Sequence, residues 1–149
     1  MKIAIQREDF DIAVETRLLR DSNAHVGAIV TFSGLVRDLD HGRQVHSLTL
    51  EHYPGMTETS LEKIMAEAAG RWDVIDATVI HRIGELKAGE QIVFVAVASA
   101  HRKDAFAAGE FIMDYLKTRA PFWKKCRDSR GESWVDAKAT DQEASKRWR

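Results

Sequence analysis

The stretch Lys117–Lys125, KTRAPFWKK, sets cations on both sides of a proline and two aromatics. Two lysines held by a stiff turn can form walls of an anion pocket, where an ammonium stabilises developing negative charge or moves a proton. Each also has a plainer reading. Lys117 suits the carbonyl end of a helix, and Lys124 suits an exposed edge strand, where lysine deters aggregation. A second basic group lies in SAHRKD at 99–104, where a core strand gives way to a helix. Unpaired N–H groups and the positive end of the helix dipole there favour an anion beside His101 and Arg102, although Asp104 offsets part of the charge. A third group is FSGLVR at 32–37. Gly34 lets a ligand approach the backbone, and the Arg37 guanidinium matches phosphate oxygens in a two-pronged fork, or is simply a charge at a strand end.

Cys126 is the single cysteine, so neither an intrachain disulfide nor a CxxC metal site is available. Lys124, Lys125 and Arg127 beside it favour its thiolate, which admits a nucleophile or persulfide carrier; the alternative is a small core hydrophobe. The six histidines show neither HxH nor HExxH spacing. They are expected to be packed or at the surface, and no metal centre is expected.

The elements that must position these groups follow from hydrophobic period. KIAIQ at 2–6 alternates as a strand, and Phe10, Val14 and Leu18 fit one face of a helix over 10–20. Residues 27–36 are rich in branched side chains and predict a strand with Gly34 at a bulge. Residues 37–44 are a polar loop or hairpin tip, and Ser47–Tyr53 alternates again. Thr57 or Thr59 opens a helix over 57–71, the latter forming a capping box with Glu62, and Leu61, Ile64, Met65, Ala68 and Trp72 lie on its buried stripe. Strands follow at 74–83 and 91–100, joined through GELKAGE; the second is apolar on both faces and belongs inside a sheet. Residues 102–117 form a helix that Pro121 stops. Its buried stripe is Ala105, Ala108, Ile112 and Leu116, with Phe106 and Met113 alongside. Strands at 122–127 and 133–137 turn at DSRGE, and residues 138–149 are expected as a polar, frayed tail.

These elements make an α+β fold: a mixed or antiparallel sheet with about three helices, in one domain over 1–149. A length of 149 residues supports a real core, and a net charge of -1 excludes a generally basic nucleic-acid binder. MKIAIQREDF lacks the apolar run of a signal peptide, and no segment approaches the roughly 20 apolar residues of a membrane helix. A cytoplasmic protein is expected.

Taken in order, VTFSGLVR (30–37), LTLEHYPGMTE (48–58), VIHRIGEL (79–86), ASAHR (98–102) and FIMDYLKTRAPFWKK (111–125) resemble the catalytic (large) subunit family of molybdopterin synthase. The resemblance implies an α/β-hammerhead-type fold and a homodimer. Each protomer would hold a small ubiquitin-like sulfur carrier with a C-terminal Gly-Gly thiocarboxylate, completing a heterotetramer. The implied substrate is precursor Z, a cyclic pyranopterin monophosphate, and two sulfur transfers would give the dithiolene of molybdopterin. No bound cofactor is implied.

Arg37, His101, Arg102, Lys117 and Lys124 match the family's active-site positions, with Phe32 and Met113 lining the pocket. Leu35, Val36, Lys125 and Cys126 join the implied substrate-binding set. Leu35 stands where relatives can carry lysine, and Cys126 where they can carry glutamate. Lys117, expected to be partly buried, is the choice for the main acid/base or charge-stabilising group, and Lys124 assists. Two alternatives accompany this reading: a Cys126 persulfide relay, and a phosphate- or nucleotide-binding module without catalysis.

Overall fold

A computed structural model describes residues 1–40, 43–135 and 139–149. The chain runs β1 (Lys2–Gln6), α1 (Ile12–Arg20), β2 (Ala28–Leu35), β3 (Leu39–Asp40), β4 (Arg43–Gln44), β5 (Ser47–His52) and α2 (Met56–Arg71). It continues with β6 (Asp76–Arg82), β7 (Gly84–Lys87), β8 (Gln91–Ser99), α3 (Arg102–Arg119), β9 (Phe122–Asp128), β10 (Gly131–Val135) and α4 (Ala139–Lys146). Strands β1-β6-β8-β2 make one four-stranded sheet and β10-β9-β5-β7 another, while β3 and β4 form a short hairpin. The expected α+β class is what the structure shows.

The first sheet is sandwiched because β8 is apolar on both faces. Val93, Val95 and Val97 point toward α2 and α3, where they meet Leu61, Ile64, Phe111 and Ile112. The alternate residues Phe94, Ala96 and Ala98 pack on Phe10 and Leu19 on the α1 side. A third, smaller core of Val36, Val45, Leu50, Leu86 and Cys126 belongs to the second sheet. The expected bulge falls in β2, where the register with β8 shifts between Gly34 and Leu35.

Several expectations are corrected. Val14 and Leu18 are exposed, and α1 instead buries Glu15 and Leu19. Lys2 pairs with the Glu15 carboxylate at 2.8 Å, so a charged residue sits on the face that hydrophobic period alone would make apolar. Helix α2 begins one turn before Thr59: Gly55 is its N-cap at φ 87°, and the Glu58 carboxylate accepts the Gly55 N–H. GELK is itself strand β7, paired with β5, rather than only a connector.

Residues 139–146 form a helix instead of a frayed tail, so the structure has a fourth one. Trp148 and Arg147 hold this end of the chain, the latter through the Asp114 carboxylate at 2.8 Å. The Trp148 indole N–H donates to the Asp114 carboxylate at 2.6 Å, and the ring lies edge-on to Trp72. The part of the predicted 133–137 strand beyond Val135, and the tip of the 37–44 loop, lie outside the described residues.

Candidate functional site

Strand β9 bears on one of the two readings of Lys124. It lies between β5 and β10, so Lys124 is on an interior strand and the edge-strand explanation is removed. Alternation along β9 puts Phe122, Lys124 and Cys126 on one face and Trp123 and Lys125 on the other. The turn before it is fixed by buried Thr57, whose hydroxyl donates to the Pro121 carbonyl at 3.0 Å and accepts the Tyr53 N–H at 2.9 Å. Pro121 thus ends α3 and is tied to the start of α2.

The result is a cleft of about 250 Å³ between the two sheets and the last turn of α3. Leu35 and Arg37 arrive from the end of β2, Lys117 from α3 and Lys124 from β9. Apolar side chains, including Leu48, Ile92 and Leu116, make up much of the remaining wall, and Asp141 of α4 also lines it. Three cations gathered on a partly apolar surface form a site for an anion. The apolar wall strengthens the charge of half-buried Lys124 relative to water, while Arg37 and Lys117 stand exposed at the rim.

Other candidates fall elsewhere. Lys117 is exposed, contrary to the expected partial burial. Val36 is 2% exposed, its side chain in the second sheet's core, its N–H donated to the Glu90 carbonyl and its own carbonyl accepting from Gly89. Cys126 is 1% exposed in the same core, where it packs as a small hydrophobe, the plainer of its two readings. Lys125 lies on the opposite face from Lys124, 3.7 Å from the Glu132 carboxylate and over the Trp134 ring. Phe32 is exposed on β2, and Met113 packs against the main core; neither lines this cleft.

His101 and Arg102 are also absent from the cleft within one chain. They stand at the start of α3 and Lys117 near its end, roughly 22 Å away along the axis. Among the described residues no group of three His, Cys, Asp or Glu could hold a metal. No helix of the described residues is long and apolar enough to cross a membrane.

Sequence reasoning missed His81 as part of the site. It sits in β6, 4% exposed, and lines the cleft with its ring stacked on Phe122 at 3.8 Å. The signal available was alternation: His81 shares the face of Ala77 and Val79, which points to the helix side of the sheet. Its pKa falls from 6.5 to about 3, chiefly through burial; the bond to the Arg82 carbonyl opposes the fall, and the charges of Lys124, Lys117 and His52 add to it.

The unfolded chain therefore binds a proton on this residue below about pH 6.5 that the folded chain refuses until about pH 3. Its contribution to stability is complete above pH 6.5 and is lost as pH falls across that window. The expected slope is about 1.4 kcal/mol per pH unit from this group. Urea unfolding between pH 7 and 4.5 should show it, and His81→Phe should flatten it.

Similarity to known proteins bears on the whole chain. The family described as "MoaE protein" matches residues 5–119. The molybdopterin synthase catalytic subunit of Escherichia coli strain K12 is 54% identical over 147 residues, covering 99% of this chain and 97% of that one. A molybdopterin biosynthesis MoaE protein from Burkholderia ambifaria superimposes with a TM-score of 0.85 at 54% identity, covering 99% of this chain and 97% of the other. The same fold, at TM-score 0.75 and 20% identity, occurs in a protein–protein complex of subunits 1 and 2 of molybdopterin-converting factor from Helicobacter pylori, with 90% of each chain covered. With the family match running from residue 5 to residue 119, and Arg37, His81 and Lys117 of the cleft within it, this chain belongs to the MoaE protein family.

Proposed function

We propose that this protein is the catalytic subunit of a molybdopterin synthase. It transfers sulfur from the C-terminal thiocarboxylate of a small ubiquitin-like partner to precursor Z, and molybdopterin is the product. The observation that carries the reading is the convergence of Arg37, Lys117 and Lys124 on one cleft. Both reactants are anionic, a phosphate ester and a thiocarboxylate tail, and the cleft offers cations to each. The 54% identity to the E. coli catalytic subunit supports the assignment, and the Helicobacter pylori complex shows that this fold occurs with a second subunit. A cytoplasmic location belongs to the same reading.

In this reaction Arg37 grips the phosphate in a two-pronged contact. Lys124 holds the incoming tail. As the sulfur bonds to a substrate carbon, the bond from that carbon to its phosphate-bearing oxygen breaks, and Lys117, reaching in from the helix end, meets the charge on the departing oxygen and gives it a proton. Cleavage of the acyl–sulfur bond by water leaves the tail as an ordinary carboxylate. A second charged tail then supplies the second sulfur, so no cysteine of this chain takes part. The bound cofactor requirement is nil, since sulfur arrives on the partner.

His101 and Arg102 fit this scheme as residues lent across a homodimer, because their own chain holds them a helix length away from its cleft. Mixing Lys117→Ala with Arg102→Ala protomers tests this. Each variant alone is inactive, while random mixing should restore about a quarter of wild-type turnover, since half the dimers carry one intact site of two. No recovery would place these residues outside the shared site. The reading as a whole is tested by supplying thiocarboxylated small subunit and precursor Z, and measuring molybdopterin. Tight binding of both without conversion would leave only a phosphate-binding module.

A further inference from the structure

The cleft contains a buried imidazole that the reaction described above does not use. His81 Nδ1 is 2.8 Å from the Arg82 carbonyl oxygen, a partner that can only accept, so Nδ1 carries the proton. The other nitrogen, Nε2, is then a lone-pair acceptor. It has no hydrogen-bond partner among the described residues, yet it is not sealed in the interior. Its access is into the cleft that the ring lines. The ring cannot swing away, because Phe122 stacks on it nearly parallel, at 15° between planes.

Phe122 and Lys124 follow one another on the same face of β9, about 7 Å apart, so the stacked ring lies within reach of the Lys124 side chain. Lys117 comes from the opposite wall at the end of α3. We infer that His81 is a positioning residue for the proposed reaction: its Nε2 accepts a hydrogen bond from the Lys124 ammonium and aims that charge at the bound anion. This rests on the catalytic reading of the cleft.

The choice of an imidazole has a physical reason. A carboxylate at this position would pair with Lys124 and cancel the charge that the substrate needs. A protonated imidazole would repel it. A neutral ring orients the ammonium and leaves its charge whole. Burial supplies that neutrality, as the depressed pKa of His81 indicates. The other titratable groups around the ring are His52, which lies 3.3 Å from the Glu58 carboxylate, and Lys117.

Two variants divide the ring into its halves. In His81→Asn the amide N–H replaces Nδ1–H toward Arg82 but leaves no acceptor in the cleft. In His81→Gln the amide oxygen reaches the place of Nε2 and the Arg82 contact is lost. With precursor Z and thiocarboxylated partner, His81→Asn should lose about tenfold in kcat, the value of one hydrogen bond to a charged group. His81→Gln should stay within about twofold of wild type. Wild-type turnover in His81→Asn, or equal losses in both variants, would mean a merely structural ring and overturn the proposal.

A second readout does not depend on turnover. In 15N-labelled wild-type protein, the His81 ring should be neutral with its proton on Nδ1, and Lys124→Ala should displace the Nε2 resonance. A proton on Nε2, or a resonance indifferent to Lys124→Ala, would also overturn it. Failure of the wild type to convert precursor Z would instead count against the catalytic reading, and the spectrum would still decide the role of His81.

Discussion

Lys117→Ala should lower molybdopterin formation by about 10³-fold while leaving the fold in place. The size of the loss follows from what the residue faces. Lys117 lines the cleft from the last turn of α3, and the proposed reaction places negative charge there as sulfur changes partners. An ammonium that meets developing charge contributes mainly to the transition state, so the loss should fall on kcat more than on KM. Stability should change by no more than about 0.5 kcal/mol, because the side chain is exposed and belongs to none of the three hydrophobic cores. Lys117→Arg should recover little, since a planar guanidinium keeps the charge but neither the shape nor the ability to release a proton. The measurement is single-turnover conversion of precursor Z, with urea unfolding as the control. A variant that keeps its rate would move the acid/base role to Lys124.

Phe111→Ala should cost about 3–5 kcal/mol, the range for truncating a fully buried aromatic. Phe111 is 0% exposed at the middle of α3. Its ring meets Tyr115 at 4.6 Å, Trp72 at 5.3 Å and Trp148 at 5.7 Å, all edge-to-face, and the Arg71 guanidinium lies 4.9 Å from its centroid. Such neighbours cannot collapse into the space a methyl group leaves, so a cavity remains. At this chain length the unfolding midpoint should fall by about 10 °C. The loss should carry into function as well. Phe111 seats the one helix that bears His101 and Arg102 at its start and Lys117 near its end. Calorimetry measures the first effect, and KM for precursor Z the second. A shift below about 1 kcal/mol would mean that α3 is held by other contacts.

Much of the fold was legible because its strongest patterns are local. The doubly apolar run of β8 could only be an interior strand, and Ala105, Ala108, Ile112 and Leu116 marked the buried stripe of α3 by spacing alone. Where the sequence misled, a distant contact had overridden a local pattern. Glu15 occupies a buried face because Lys2 reaches it, and residues 139–146 are helical because Trp148 finds Asp114 and Trp72 on other elements. The cleft was half legible. Motifs named Arg37, Lys117 and Lys124, which do meet, but spacing along the chain did not reveal that α3 separates His101 from Lys117. Nor did it show that β9 is flanked on both sides, or that His81 looks into the cleft.

The parallel pairing of β1 with β6 has a bearing on how the molecule is made. Lys2 meets Thr78, and every element from α1 to α2 lies between them in the chain. Closing so large a loop is entropically costly before any sheet contact rewards it, which places refolding toward the slow, millisecond-to-second end of the scale. On the ribosome β1 and β2 must wait, unpaired, until β6 and β8 have emerged. Through that interval β2 presents Phe32 and Leu35 along an open edge, so the newborn chain is most prone to sticking before its central strand arrives.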